Sequence, residues 1–184
     1  MGYIINVKNA KFAPVSEDTA SGYTLGEQVA LPGLQQLDIT LTTATGELYG
    51  DGALVSKTSK ITGASVKISL AKLSTACRAG LTGASISEAG VLSVKTSDTV
   101  PKIALYAETE EDDGKKEQMW FLVGKAEPAG KSATQSTGNI TYSTDELTIN
   151  FVRREKDLSV YQLLDTSDTG VDGSKSVSFA DQPD

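Results

Sequence analysis

Histidine is absent from this 184-residue chain, and cysteine occurs once, at Cys77. Those two shortages exclude an internal disulfide, a Cys/His zinc site and any histidine-based catalytic pair. Basic residues are also scarce, 17 against 24 acidic ones for a net charge of −7. Binding nucleic acid through its phosphates needs clustered Lys and Arg, so that class of function is excluded as well. No stretch approaches the ~18 consecutive apolar residues of a membrane helix, and the opening MGYIINVKNA lacks a charged head followed by a long apolar run. The chain therefore reads as a cytosolic product without a membrane span. Aromatic residues make up only 6%, whereas Ser and Thr supply 39 of the 184 positions. Thr-rich, aromatic-poor chemistry suits short strands and loops better than helical bundles.

Residues 1–33 combine a short apolar piece, residues 3 to 7, with turn-rich sequence, and read as an arm holding one possible strand. From Leu34 the pattern sharpens. Leu37, Ile39 and Leu41 alternate with Gln36, Asp38, Thr40 and Thr42, and Val66, Ile68 and Leu70 alternate with Ser65, Lys67 and Ser69, so two half-buried strands are expected. Between them, residues 43 to 61 contain Gly46, Gly50 and Gly52 and show no periodicity, which predicts a long loop. Leu70, Leu73, Cys77 and Leu81 recur at helical spacing and predict the chain's one helix over residues 69 to 79.

Residues 103 to 107 and 118 to 123 bracket a charged segment in which Asp113-Gly114 is a turn pair, predicting a β-hairpin with a solvated tip. Its returning strand is apolar at Met119, Trp120, Phe121 and Leu122 alike, and a strand apolar on both faces needs cover on both sides. One cover could be another subunit, so these four residues are candidates for a subunit interface or core. Strands are also expected at residues 139 to 142 and at Leu147, Ile149 and Phe151, with Thr148 and Asn150 on the polar face. The last stretch carries Asp165, Asp168, Asp172, Asp181 and Asp184 against Lys175 alone and reads as a flexible acidic tail.

Chemical motifs are weak. Residues 124 to 132 superficially resemble a phosphate loop, but five residues separate Gly124 from Gly130 where the motif has four, and Pro128 removes an amide. The acids at 108 to 113 and in the tail miss the alternating spacing of a calcium loop. Cys77 lies on the helix's apolar stripe as a small core residue, and Asn139-Ile-Thr141 matches a glycosylation acceptor by letters alone. No enzyme, cofactor or metal is expected.

In the order of its parts, the chain resembles the major tail proteins that polymerise into the tail tube of long non-contractile-tailed phages. The strand Leu37-Asp-Ile-Thr-Leu41 leads to a Gly-Glu-Leu-Tyr-Gly-Asp-Gly segment at 46 to 52, similar to a Leu-Tyr-Ala-Asp-like segment of those proteins. After a second strand and a short helix come Met119-Trp-Phe-Leu-Val-Gly-Lys-Ala-Glu-Pro128, similar to their aromatic strand and Glu-Pro turn, and the closing strand Leu147-Thr-Ile-Asn-Phe151. The resemblance covers roughly residues 23 to 155. It implies a mainly β subunit with one short α-helix, a β-sandwich or β-barrel-like tail-tube fold with a long strand-connecting loop, forming hexameric rings that stack into a tube.

On that basis residues 34–155 form the tail-tube domain, residues 1–33 an N-terminal arm and residues 156–184 an acidic C-terminal extension. Leu48, Tyr49, Asp51, Leu54 and Val55 are assigned to contacts between rings. Gln36, Asp38, Thr40, Lys67, Thr148 and Asn150 are assigned to the lumen, through which phage DNA would pass without specific binding; the alternative is that they form an ordinary outer sheet surface. Partners are further copies of the chain and other tail proteins at the tube ends, with no membrane, in a virion assembled in the bacterial cytoplasm. Two rivals are the tube protein of a contractile injection system or another virion protein, and a monomeric β-domain that binds a small ligand or carbohydrate.

Overall fold

The structure is a computed structural model that describes residues 2–128, 130, 131, 133, 135 and 142–184. The strand expected at 139 to 142 falls mainly outside the described residues, as do Asn139 and Ser132; Tyr142 itself is not in a strand. The elements are β1 (Ile4–Asp18), β2 (Tyr23–Leu25), β3 (Val29–Ala30), β4 (Leu34–Gly50), β5 (Ala53–Leu70), α1 (Thr75–Thr82), β6 (Ser85–Ile86), β7 (Leu92–Ser93), β8 (Ile103–Glu111), β9 (Lys116–Ala126), β10 (Asp145–Val152), β11 (Tyr161–Asp165) and α2 (Gly173–Asp181).

One antiparallel sheet runs in the order β2, β1, β8, β9, β10, β5, β4, with β3 on the edge of β1 and β11 on the edge of β9. The chain is thus mainly β. The sheet does not close into a barrel; it bends so that β1 comes against β4, which gives a sandwich-like layering. Among the described residues β6 and β7 stand apart, as a small hairpin of their own.

Strand β9 organises the packing. Its alternating side chains divide between two cores: Met119 and Phe121 join Phe12, Val66, Ile68, Leu105, Ile149 and Phe151 on one face, while Trp120 and Leu122 join Tyr23, Ala104, Tyr106 and Phe179 on the other. The first core is closed by α1. Ser74 caps that helix by accepting a hydrogen bond from the Cys77 amide at 3.2 Å, and Cys77 and Leu81 face inward. Buried Asp145 accepts from the Leu73 amide at 2.8 Å and lies 3.5 Å from Arg78, which ties the approach to α1 onto β10. The stripe of Leu70, Leu73, Cys77 and Leu81 is buried as a set. Its first member, however, ends β5, paired with Asp145, so the helix starts at Thr75 and the helical spacing there reflects a shared core.

The second core is closed by the C-terminal segment, contrary to the expectation of a flexible tail. Phe179 of α2 packs with the Trp120 cluster, and the Trp120 indole N–H donates to the Phe179 carbonyl at 2.6 Å. Hence both covers over β9 come from the same chain. In this tail Asp168, Asp172, Asp181 and Asp184 face water, while Phe179, the one large apolar residue of α2 that is buried, reaches the sheet.

The proposed N-terminal arm is likewise part of the sheet. β1 pairs with β8 from Ile4↔Glu111 to Pro14↔Ile103, and a break in register between Lys8 and Lys11 flanks Asn9 at φ 55°. That irregularity disrupts the period-two pattern by which a strand is recognised. Residues 156–184 also contribute a strand, β11, paired from Tyr161↔Phe121 to Asp165↔Glu117.

The segment resembling a phosphate loop begins inside β9. A Cβ on Gly124 would lie 2.5 Å from Cδ1 of Phe151, its cross-strand neighbour, so this glycine makes room for an aromatic ring and not for a phosphate. Among the described residues no helix is long and apolar enough to cross a membrane.

Candidate functional site

Residues 43 to 61 are not a loop. β4 and β5 pair continuously from Leu34↔Leu70 to Gly50↔Ala53, and the turn between them is Asp51 at φ 50° and Gly52 at φ 79°. Two successive residues at positive φ make the turn that matches strand twist in a two-residue hairpin, and Asp-Gly is among its preferred pairs. β10 covers β5 only as far as Gly63. Beyond that point the pairs Thr43↔Ile61 to Gly50↔Ala53 have only each other among the described residues, and at about 3.4 Å per residue they extend roughly 24 Å from the sheet. Apart from half-buried Gly50, every residue from 41 to 62 is exposed.

The arm's end is apolar on both faces. Tyr49 pairs with Leu54, and a register shift makes Val55 the extra residue, so Val55 turns to the opposite face with Leu48. A Cβ on Gly50 would lie 3.0 Å from Cγ2 of Val55, consistent with that side. Leu48 is 61% exposed, Tyr49 63%, Leu54 50% and Val55 64%. Below them Lys57 and Glu47 pair at 2.7 Å, and the Tyr49 hydroxyl donates to Glu47 at 2.9 Å. Hydrogen bonds from Lys57 first, then Tyr49, hold the Glu47 carboxyl below its ordinary range. The structure thus gathers Leu48, Tyr49, Asp51, Leu54 and Val55 at the tip of a projecting ribbon.

A second group falls on one face of β4, β5 and β10. The registers align Asp38 with Lys67 and Thr148, and Thr40 with Ser65 and Asn150, while Gln36 is opposite Ser69 and thereby one row further along. Gln36 donates to Asp38 at 2.8 Å, Lys67 pairs with Glu146 at 2.9 Å, and Asn150 donates to Glu127 at 2.7 Å. The Glu146 contact raises the Lys67 ammonium above its usual range. This face is hydrophilic but nearly balanced in charge, with Asp38, Glu127 and Glu146 beside Lys67 and Lys125. Its reverse holds Val66, Ile68, Leu147, Ile149 and Phe151, all buried.

Met119, Trp120, Phe121 and Leu122 present no surface; all four are at most 4% exposed, within the chain's own cores. What the sequence did not disclose is a pair of open edges. Among the described residues the outer edge of β4 has no partner strand, and Ile39 and Leu41 beside it are about two-fifths exposed. At the other end of the sheet, β3 and β2 cover β1 only from Lys11 onward, leaving the outer edge near Tyr3, Ile4 and Ile5, all more than half exposed.

Two polar clusters also form from residues distant in sequence. Buried Glu108 accepts from the Tyr106 hydroxyl and from Asn9, both at 2.6 Å, and from Gln118 at 3.2 Å, with Lys116 3.7 Å away. Burial disfavours its charge, yet these donors outweigh burial and leave the carboxyl below its ordinary range. Nearby, the Lys11 ammonium lies 4.6 Å from the Tyr106 ring centre and donates to the Ala180 carbonyl. Burial lowers its pKa, against the attraction of Asp181 and Glu108. Separately, Glu111, Glu117 and Asp165 bring carboxylate oxygens within 4.8 Å of one another. None of those three spacings is visible along the chain, because three different strands supply them.

No protein-family model matches the chain, and no curated protein matches it in sequence. Among solved structures, it is similar to the anti-feeding prophage cap, the AFP tube terminating cap, seen by cryo-EM, at 12% identity and a TM-score of 0.48, over 90% of this chain and 93% of that one.

Proposed function

We propose that the protein is a structural subunit that self-assembles into stacked rings, forming a tube of the phage-tail type, with no chemistry of its own. The observation that carries this is the β4–β5 arm, because its outer half is exposed among the described residues and ends in four exposed apolar side chains. A two-stranded ribbon is marginal in water by itself, and an aliphatic and aromatic tip suits burial against a partner. The two open sheet edges support the same reading, since a contact between different edges of identical subunits is heterologous and generates rings or filaments. The hydrophilic face of β4, β5 and β10 is then the candidate lumen wall, along which DNA would slide without being held. Hexameric symmetry follows from the sequence resemblance alone and belongs to the proposal.

The tube of a contractile injection system would use the same geometry. A monomeric ligand-binding domain would instead use a cleft lined by Asn9, Lys11, Ala30, Tyr106, Glu108 and Ala180, but the Glu108 oxygens are already occupied by protein donors.

The test is to replace residues 45–59 with Asn-Gly, joining Ala44 directly to Lys60, which are already a cross-strand pair. Far-UV circular dichroism should retain a β spectrum, and electron microscopy should show tubes only for the full-length arm. Normal polymerisation by the shortened chain would refute a stacking role for the tip.

A further inference from the structure

We infer that the C-terminal segment, α2 and the residues after it, is a strap that opens while the sheet stays folded, uncovering the apolar face of Tyr106, Trp120 and Leu122. This inference is independent of the tube proposal.

The strap is held in an uncommon way for a core element. Its side chains contribute little: α2 buries Phe179 alone, Val177 is 64% exposed, and of the residues that follow only Pro183 is buried. Most of the grip comes from side chains elsewhere that reach its backbone carbonyls. Trp120 donates to Phe179 O at 2.6 Å, Lys11 to Ala180 O, and Gln28 to Asp181 O. The last carbonyls of a helix have no partner within it, and a cation beside them is favoured by the helix dipole. Lys11 of β1, Gln28 of the β2–β3 connection and Trp120 of β9 therefore complete the end of α2. Past the helix, Arg154 and Gln162 both donate to Asp184 O.

Four features make this assembly separable from the sheet. A helix of nine residues does not persist alone in water, so leaving the sheet and unwinding are one event. The connection from Asp168 to Asp172 is largely exposed, with Gly170 at φ 90°. Among the described residues the strap returns one of its own side chains to the sheet in a hydrogen bond, Ser176 to Gln118 at 2.9 Å. Finally, Nη1 of Arg154, a residue 1% exposed, donates to no described protein group in the closed arrangement. Buried polar atoms in that position are costly, and opening hydrates them. By contrast, β8 and β9 are held by ladders on both edges and by cores on both faces, so their opening is tied to global unfolding.

Trp120, the chain's single tryptophan, reports directly on the strap. Amide hydrogen exchange of the full chain, read by mass spectrometry at urea concentrations below the unfolding transition, should show α2 exchanging at least ~10-fold faster than β8 and β9 and with little dependence on urea. Acrylamide quenching of Trp120 should be similarly insensitive to urea. Gly173→Ala, where an added Cβ meets open space, should slow exchange in α2 severalfold and leave β9 unchanged. Phe179→Ala should speed it and shift Trp120 emission to the red, with β5 and β10 amides unaffected. Exchange of α2 and β9 at one common rate with one urea dependence would overturn the inference. So would a Phe179→Ala chain that does not fold, since a strap is dispensable to the sheet beneath it.

Discussion

At the scale of single residues, the most consequential side chain outside the apolar cores is Glu108. It is a carboxylate only 5% exposed, and it survives there because Tyr106, Asn9 and Gln118 donate to it and Lys116 stands close. Its pKa lies below the ordinary 4.5 when folded, so the folded chain binds fewer protons than the unfolded chain as pH falls through that range. Asp157 behaves in the same direction, held down chiefly by its paired hydrogen bonds from Arg154. Stability contributed by such groups is present above the unfolded pKa and is lost as pH drops toward the folded one. Urea titrations at a series of pH values should therefore show stability declining from about pH 5 downward. Glu108→Gln should lower stability at neutral pH by about 1–3 kcal/mol, because it replaces a fully engaged acceptor, and should flatten that acid slope. An unchanged slope in the variant would show that Glu108 is not one of the groups responsible.

At the scale of elements, β4 and β5 are each two structures in sequence. Their inner halves are ordinary sheet strands with Leu37, Val66 and Ile68 turned to the core, and their outer halves form a free ribbon. Since the ribbon's tip is exposed among the described residues, substitutions there separate folding from association. The double variant Tyr49→Ser, Leu54→Ser should shift the unfolding free energy of the monomer by less than about 0.5 kcal/mol, as exposed positions do. In the same protein, particles seen by microscopy and sedimentation should fall to rings or monomers. A large loss of monomer stability would mean that the tip folds back onto its own subunit.

At the scale of the whole molecule, charge and shape bear on the proposed role together. The net charge is −7, and the face proposed to line a lumen carries nearly equal numbers of acids and bases. Repulsion of DNA is thus a property of the molecule's overall charge more than of that one face. Gel shifts with duplex DNA should show no complex at ~0.1 M salt, where charge effects reach only about 10 Å, either for the subunit or for its assembled form. Tight binding that weakens with salt would mean that Lys67, Lys125 and their neighbours present a net attractive surface, and would remove the case for a passive conduit.

Much of the central sheet was legible in the sequence, because one-sided burial writes itself as alternation. Leu37, Ile39 and Leu41, then Val66, Ile68 and Leu70, and later Leu147, Ile149 and Phe151 gave three strands and the polar face between them. Asp113-Gly114 marked the β8–β9 hairpin. The same residue pair at Asp51-Gly52 was a sufficient local signal for the arm, but the Thr, Ser and Lys on both sides of it carry no alternation, since neither face of the ribbon is buried. β1 was obscured by its irregular register near Asn9. The double-sided apolarity of β9 fixed only that two covers must exist. Which covers they are was decided by tertiary structure: α1 on one side, and on the other a C-terminal helix whose sequence is mostly polar and which docks through its backbone carbonyls. Backbone groups are common to every residue, so an attachment made through them leaves no signature in the side chains, and only the folded sheet, by placing Lys11, Gln28, Trp120 and Arg154 around one path, determines where that segment lies.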